Sequence, residues 1–303
     1  MPTFTELPGD IVGAPPYRAT GCLMQGLFLP GDLAAQQGFC DLALNGPAGG
    51  ALEFHAVTHH VLMTALYART MGSTNPADAD KGVMREWDVG FWTAVRGGRP
   101  GAEDDWRTYW LPSFLFVDSS PAMASGREIY GYPKTTAVFA GRGAGPEDPS
   151  VELVVQHFPV FGPEQRPVTG PLVTIKPGGP GVAAAGLAES VAAAWEIFND
   201  VVPFHSGFHL PPWPGLAMPQ IMLRQARDPA AFGQASIRSI LCVTATTLRV
   251  TGGGLLHAPS VVTIAPSASH PIMETLGLEP SQVGELGFWI EQDFEVGPAE
   301  RLL

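Results

Sequence analysis

Glycine and proline cut this chain at short intervals. The 303 residues include 36 glycines and 30 prolines, and between them lie brief runs rich in β-branched and aromatic side chains. Such side chains suit a pleated, half-buried surface, and Gly, Pro, Asn and Asp supply the turns that separate strands. Strands are therefore expected at residues 21–29, 61–67, 89–95, 109–117, 136–140, 151–157, 220–225, 236–246 and 260–264. Their spacing favours a mostly antiparallel sheet. A short helix is expected at 32–37, after Pro30-Gly31. A longer one is expected at 182–199, where Leu187, Val191, Trp195 and Phe198 recur on one face. Trp195 then belongs to the core. The proline-rich stretches 159–180 and 210–219 read as surface connections, and Gly252-Gly-Gly254 as a turn. There is no internal repeat. The economical reading is one α+β domain over residues 1–303, with insertions near 97–108 and 159–199.

Several functions are disfavoured by composition. A net charge of −12 opposes non-specific nucleic-acid binding, which needs lysine and arginine to displace counterions. Cys22, Cys40 and Cys242 are odd in number and far apart, so no disulfide framework or zinc-ligand spacing emerges. His205 and His209 stand at i,i+4 spacing, but Gly207 and nearby prolines weaken a helix there, and no metal site is expected. No stretch approaches the length of a membrane span, and the first residues lack a basic segment followed by an apolar run. A cytoplasmic protein is the expectation, with no nucleic-acid or membrane partner.

Chemistry is concentrated around one amine. The chain has three lysines, Lys81, Lys134 and Lys176, against fourteen arginines. Lys81 and Lys176 read as solvated loop residues. Lys134 lies between Tyr130, Tyr132 and Pro133 on one side and Ala137, Val138 and Phe139 on the other. A lysine amine is nucleophilic only when neutral, and burial disfavours its charged form. A neutral amine can condense with a ketone, and the protonated imine draws electrons from the neighbouring carbon.

The segment Gly126-Arg-Glu-Ile-Tyr-Gly-Tyr-Pro-Lys134 resembles the lysine segment of the acetoacetate decarboxylase superfamily. Asp88-Val-Gly-Phe-Trp-Thr-Ala-Val95 resembles the upstream strand that begins with the family's catalytic glutamate. Pro219-Gln-Ile-Met-Leu-Arg-Gln225 and Ser236-Ile-Arg-Ser-Ile-Leu-Cys-Val-Thr-Ala245 are similar to its C-terminal strands. The matches run in the family's order over most of the chain, and the lysine segment alone is specific. The resemblance implies a closed or cone-shaped sheet with a few helices, a Schiff base on Lys134, no cofactor and a homo-oligomer. It places Asp88, rather than Glu86, at the carboxylate position.

Other candidates surround this pair. Glu86 and Asp88, two apart on a strand, share a face. Arg127 and Glu128 would face opposite ways in a strand, leaving Arg127 to hold a substrate carboxylate through its planar fork. Tyr130 is a candidate donor to a bound oxo group, and Tyr132 an apolar wall. His60, beside His59, stands near where the family carries another acidic pocket residue.

Departures from the family fall around the lysine. Thr135 replaces a second lysine, so desolvation would have to activate the amine largely unaided. The family's N-terminal arginine has no clear counterpart; Arg18 is only a positional neighbour. The loop at 96–109 looks longer. These changes spare the imine centre and alter what handles the substrate's carboxylate. The expected function is a Schiff-base-forming lyase acting on a small oxo acid, of the aldolase-dehydratase or cyclase type, with an aldehyde as a further partner. β-Keto-acid decarboxylation through the same imine is the first alternative. A non-catalytic carbonyl-binding module is the second.

Overall fold

The computed structural model describes residues 3–102, 104, 106–178, 217–256 and 258–303. Fourteen strands are present among them: β1 (Tyr17–Pro30), β2 (Glu53–Ser73), β3 (Met84–Gly98), β4 (Arg107–Val117), β5 (Lys134–Thr136), β6 (Val138–Ala140), β7 (Val151–His157), β8 (Val168–Pro177), β9 (Ala217–Arg227), β10 (Ala235–Leu255), β11 (Ser260–Ile264), β12 (Ser281–Val283), β13 (Leu286–Val296) and β14 (Glu300–Arg301). Helices are short: α1 (Leu33–Cys40), α2 (Gly46–Ala48), α3 (Ser120–Ser125) and α4 (Ile272–Leu276).

The larger sheet closes on itself. Strands β1, β2, β3 and β4 pair in sequence, β4 meets β9, β9 pairs β10, and β13 bridges β10 back to β1. Most of these pairings are antiparallel. The β4–β9 contact is parallel and is a single bridge between Trp110 and Gln220. Strand β5 adds to β4 in parallel, with Lys134 opposite Leu115. Closure leaves this ring no free edge there to pair with another chain, and it encloses an interior.

Outside the ring lies a second sheet, in the order β12-β11-β8-β7-β6. Alternation along each strand sends one set of side chains inward and the other outward. Val61, Val89, Phe91 and Phe116 project from the ring onto Leu153, Val173, Ile175 and Val262 of the second sheet, all fully buried. Burial of such side chains stabilises by about 1.5–3 kcal/mol each. A separate core forms where α1 and the turn after it lay Cys40 and Leu44 on Phe54, Val95, Leu111 and Ile221. Asp32 caps α1, its carboxylate accepting from the Ala35 backbone N–H at 2.7 Å.

Several expectations are corrected. The stretch read as a connection at 159–180 contains β8, whose Pro171 falls where the pairing with β7 shifts register, a place that tolerates a missing donor. Gly252–Gly254 is no turn but part of β10, facing β13; a side chain on Gly252 or Gly254 would run into the Trp289 ring. Strand β13 was not anticipated. Lys81 is not freely solvated: it binds Glu6 at 2.6 Å and Asp78 at 3.0 Å. Lys176 is exposed, but on β8 rather than in a loop. The expected helix at 182–199, with Trp195, and His205 and His209 lie outside the described residues. No helix among the described residues is long and apolar enough to cross a membrane.

Candidate active site

Lys134 points into the ring. The chain reaches it through α3, which is capped by Ser119, whose hydroxyl accepts from the Ala122 N–H, and carries Pro121 in its first turn. The helical path widens into a π-helical turn over Gly126–Tyr130 and stops at Gly131, with φ +82. Glycine is needed there twice over. Its backbone is left-handed, and a Cβ would lie 2.6 Å from Arg224 Cα. Gly126 is needed for a different reason: a Cβ there would sit 2.7 Å from Lys134 Cδ and 3.0 Å from Cε. The lysine stem runs through the space that Gly126 leaves empty.

The amine ends against a carboxylate. Lys134 Nζ donates to Glu86 Oε1 at 2.7 Å, with side chains only 8% and 3% exposed. The Tyr132 ring lies to one side, its centroid 5.8 Å from Nζ. Asp88 follows Glu86 on the same inward face of β3, and both line one cavity of about 180 Å³. Burial raises the Asp88 carboxyl to about 8, helped by the neighbouring Glu86 charge and opposed by Lys134. At neutral pH Asp88 is therefore mostly a neutral acid, able to donate a proton, beside the Lys134–Glu86 contact.

The remaining lining is largely apolar. Met24, Leu66, Met71, Met218, Ile290 and Phe294 form much of it. Several of its polar groups are engaged with one another. Trp92 Nε1 donates to Thr64 Oγ1 at 2.9 Å, and Thr247 Oγ1 donates to Gln292 Oε1 at 2.8 Å. The Tyr132 hydroxyl donates to Gln220 Oε1.

Some expected site residues converge here and others do not. Lys134, Glu86, Asp88, Tyr130 and Tyr132 share the cavity. The carboxylate against the amine is Glu86, however, not the Asp88 that the resemblance placed there. The hydroxyl of Tyr130 is not aimed at a ligand: it donates to the Gly297 carbonyl at 2.9 Å. Tyr132 is more than an apolar wall, since its hydroxyl holds Gln220. Arg127 is corrected outright. It is exposed, outside the cavity lining, and its guanidinium binds the Lys134 carbonyl at 3.0 Å. The strand assumed for it is a helical turn, which turns Arg127 and Glu128 both to the surface. His60 is also elsewhere, buried on β2 between Thr58 and Glu285, with Nε2 2.7 Å from Glu285. Arg18 pairs with Glu295 on the outside. Gln220 and Gly126 were not anticipated in the cavity lining; both lie in segments that carry the resemblance, but neither type signals its place alone. Among the described residues, no three His, Cys, Asp or Glu side chains converge as a metal site.

No protein-family model matches the sequence, and no curated protein matches it. Solved structures match in fold. An acetoacetate decarboxylase from Legionella pneumophila superposes with a TM-score of 0.59 at 15% identity, covering 99% of this chain and 92% of that one. An acetoacetate decarboxylase-like enzyme from Sphingomonas wittichii RW1 gives 0.56 at 16% identity, over 99% and 98% of the two chains. The enduracididine biosynthesis enzyme MppR, solved in complex with pyruvate, gives 0.53 at 11% identity, over 98% and 93%. The mostly stranded α+β fold, with its large mixed sheet and second antiparallel sheet, is thus acetoacetate decarboxylase-like.

Proposed function

We propose that the protein is an imine-forming lyase acting on an oxo compound, with Lys134 as the nucleophile. The observation that carries this reading is the buried Lys134–Glu86 pair in an apolar cavity, with the neutral acid Asp88 on the same face. Proton transfer from Nζ to Glu86 yields the free amine, which attacks the substrate's carbonyl carbon. Asp88 gives its proton to the carbinolamine oxygen, which leaves as water, and the nitrogen becomes a protonated imine. Breaking a bond at the adjacent carbon sends its electron pair into the imine, forming an enamine. Return of a proton to that carbon and addition of water release the product and the amine.

The bond that breaks distinguishes two reactions. A pyruvate-type aldol or dehydration sequence keeps the substrate's carboxylate, and pyruvate is the ligand held by the MppR structure noted above. A β-keto-acid decarboxylation loses it as carbon dioxide. No arginine lines this cavity among the described residues, and an apolar site favours the step that discharges an anion. That observation supports the decarboxylase as the second reading. Carbon dioxide and ketone formed from acetoacetate would select it, whereas consumption of pyruvate with an aldehyde would select the first.

Lys134→Arg tests the shared intermediate. Arginine keeps the charge opposite Glu86 but does not form the imine. Borohydride reduction in the presence of an oxo compound is expected to add mass to the native protein and none to the variant. An adduct retained by a folded Lys134→Arg protein would remove the proposal.

A further inference from the structure

The cavity walls bear on what the carbonyl compound carries at its other end. Among the lining residues Lys134 is the only lysine or arginine, and its charge is already matched by Glu86, with a second acid at Asp88. Residues 179–216 contain no lysine or arginine, so that part of the chain has neither to offer. A compact oxo acid placed here would bury its carboxylate beside Glu86 with no second lysine or arginine on the described walls to meet it, which is costly. Three lining donors, the Trp92 indole N–H and the Thr247 and Tyr132 hydroxyls, are also spent on Thr64, Gln292 and Gln220.

The space itself suits hydrocarbon. Met24, Met71 and Met218, with Leu66, Ile290 and Phe294, face it, and methionine adapts to irregular apolar shapes. Its volume is about 180 Å³, against about 150 Å³ for a dry protein cavity that takes a benzene ring. From these observations we infer that the site prefers a carbonyl compound whose non-reacting part is an uncharged apolar chain or ring over a compact oxo acid such as pyruvate. This deepens the imine reading and rests on it for the covalent step.

The test uses the full chain and a series of straight methyl ketones from acetone to 2-nonanone, with pyruvate as comparator. Borohydride capture is followed by intact mass, and binding without borohydride by calorimetry. The concentration for half-maximal capture should fall about fourfold per added methylene until the chain fills the cavity. 2-Heptanone should be captured at concentrations at least about tenfold below those needed for pyruvate, a little under two methylenes' worth. Capture of pyruvate at equal or lower concentration overturns the inference and leaves the imine intact. If nothing is captured but 2-heptanone binds and pyruvate does not, the imine reading fails and the apolar preference stands. If neither binds, the inference is overturned.

Discussion

The two faces of β3 meet opposite surroundings. Outward, Val89 and Phe91 are fully buried against the second sheet, in continuous apolar contact. Inward, Glu86, Asp88 and Trp92 border the cavity, and Gly90 between them makes room for Trp92 and Leu115, whose side chains a Cβ there would meet at 2.7 and 2.9 Å. One backbone thus serves two purposes, and its alternation separates them. The outer face supplies cohesion; the inner face holds an ion pair and a raised carboxyl that a filled interior would not accommodate. Charges on the inner face are tolerable only because Lys134 and Glu86 satisfy each other.

Stability should respond most on the outer face. Phe91→Ala removes a fully buried ring and is expected to cost about 3–5 kcal/mol in chemical denaturation, with capture at Lys134 far less affected under folding conditions. A loss of capture matching the loss of stability would mean that the faces are not independent. On the inner face, Glu86→Gln leaves the buried amine without its anion and should cost about 3 kcal/mol near neutral pH. Denaturation midpoints check this, and an unchanged midpoint would show that the pair is not formed in solution.

Asp88→Asn sharpens the comparison through pH. The usual aspartate value is 3.8, and in the folded protein Asp88 is raised to about 8. Below pH 4 the group is protonated in both folded and unfolded states, so its contribution is fully present. Between about pH 4 and 8 the unfolded chain releases the proton while the folded one keeps it, so stability falls by at most about 1.4 kcal/mol per pH unit. Above about 8 the loss is complete. Asparagine lacks this slope, so the variant should gain on the native protein as pH rises across that window. Parallel curves for the two proteins would contradict a neutral Asp88. Gly126→Ala should change stability least, by less than about 1 kcal/mol, because the lysine stem can shift. Displacing that stem by about 1 Å should nevertheless slow capture, by on the order of 100-fold.

Much of the sheet was legible because its strands carry their own pattern. Residues 151–157 and 260–264 form strands with the expected bounds, and 89–95 and 109–117 lie inside longer ones. Strand β8 was hidden because Pro171 and Pro177 read as breakers, although a register shift and a strand end admit them. The glycines of β10 read as a turn because their purpose, making room for Trp289, lies on another strand. The site shows the same division. Lys134 stood out through its neighbours in sequence, and alternation put Glu86 and Asp88 on one face. Which acid meets the amine depends on where β5 docks beside β4, a long-range fact. Arg127 was misplaced because a glycine-rich, tyrosine-rich segment passed for a strand when it winds as a helical turn.

The central claim is that one amine, Lys134, is the covalent centre, and the small number of lysines makes it unusually open to test. After borohydride reduction with 2-heptanone or acetoacetate, peptide mapping by tandem mass spectrometry has three lysine side chains to distinguish. The account predicts a single added fragment on the peptide containing Lys134, with Lys81 and Lys176 unmodified. An adduct on Lys81 or Lys176 with Lys134 untouched would contradict it.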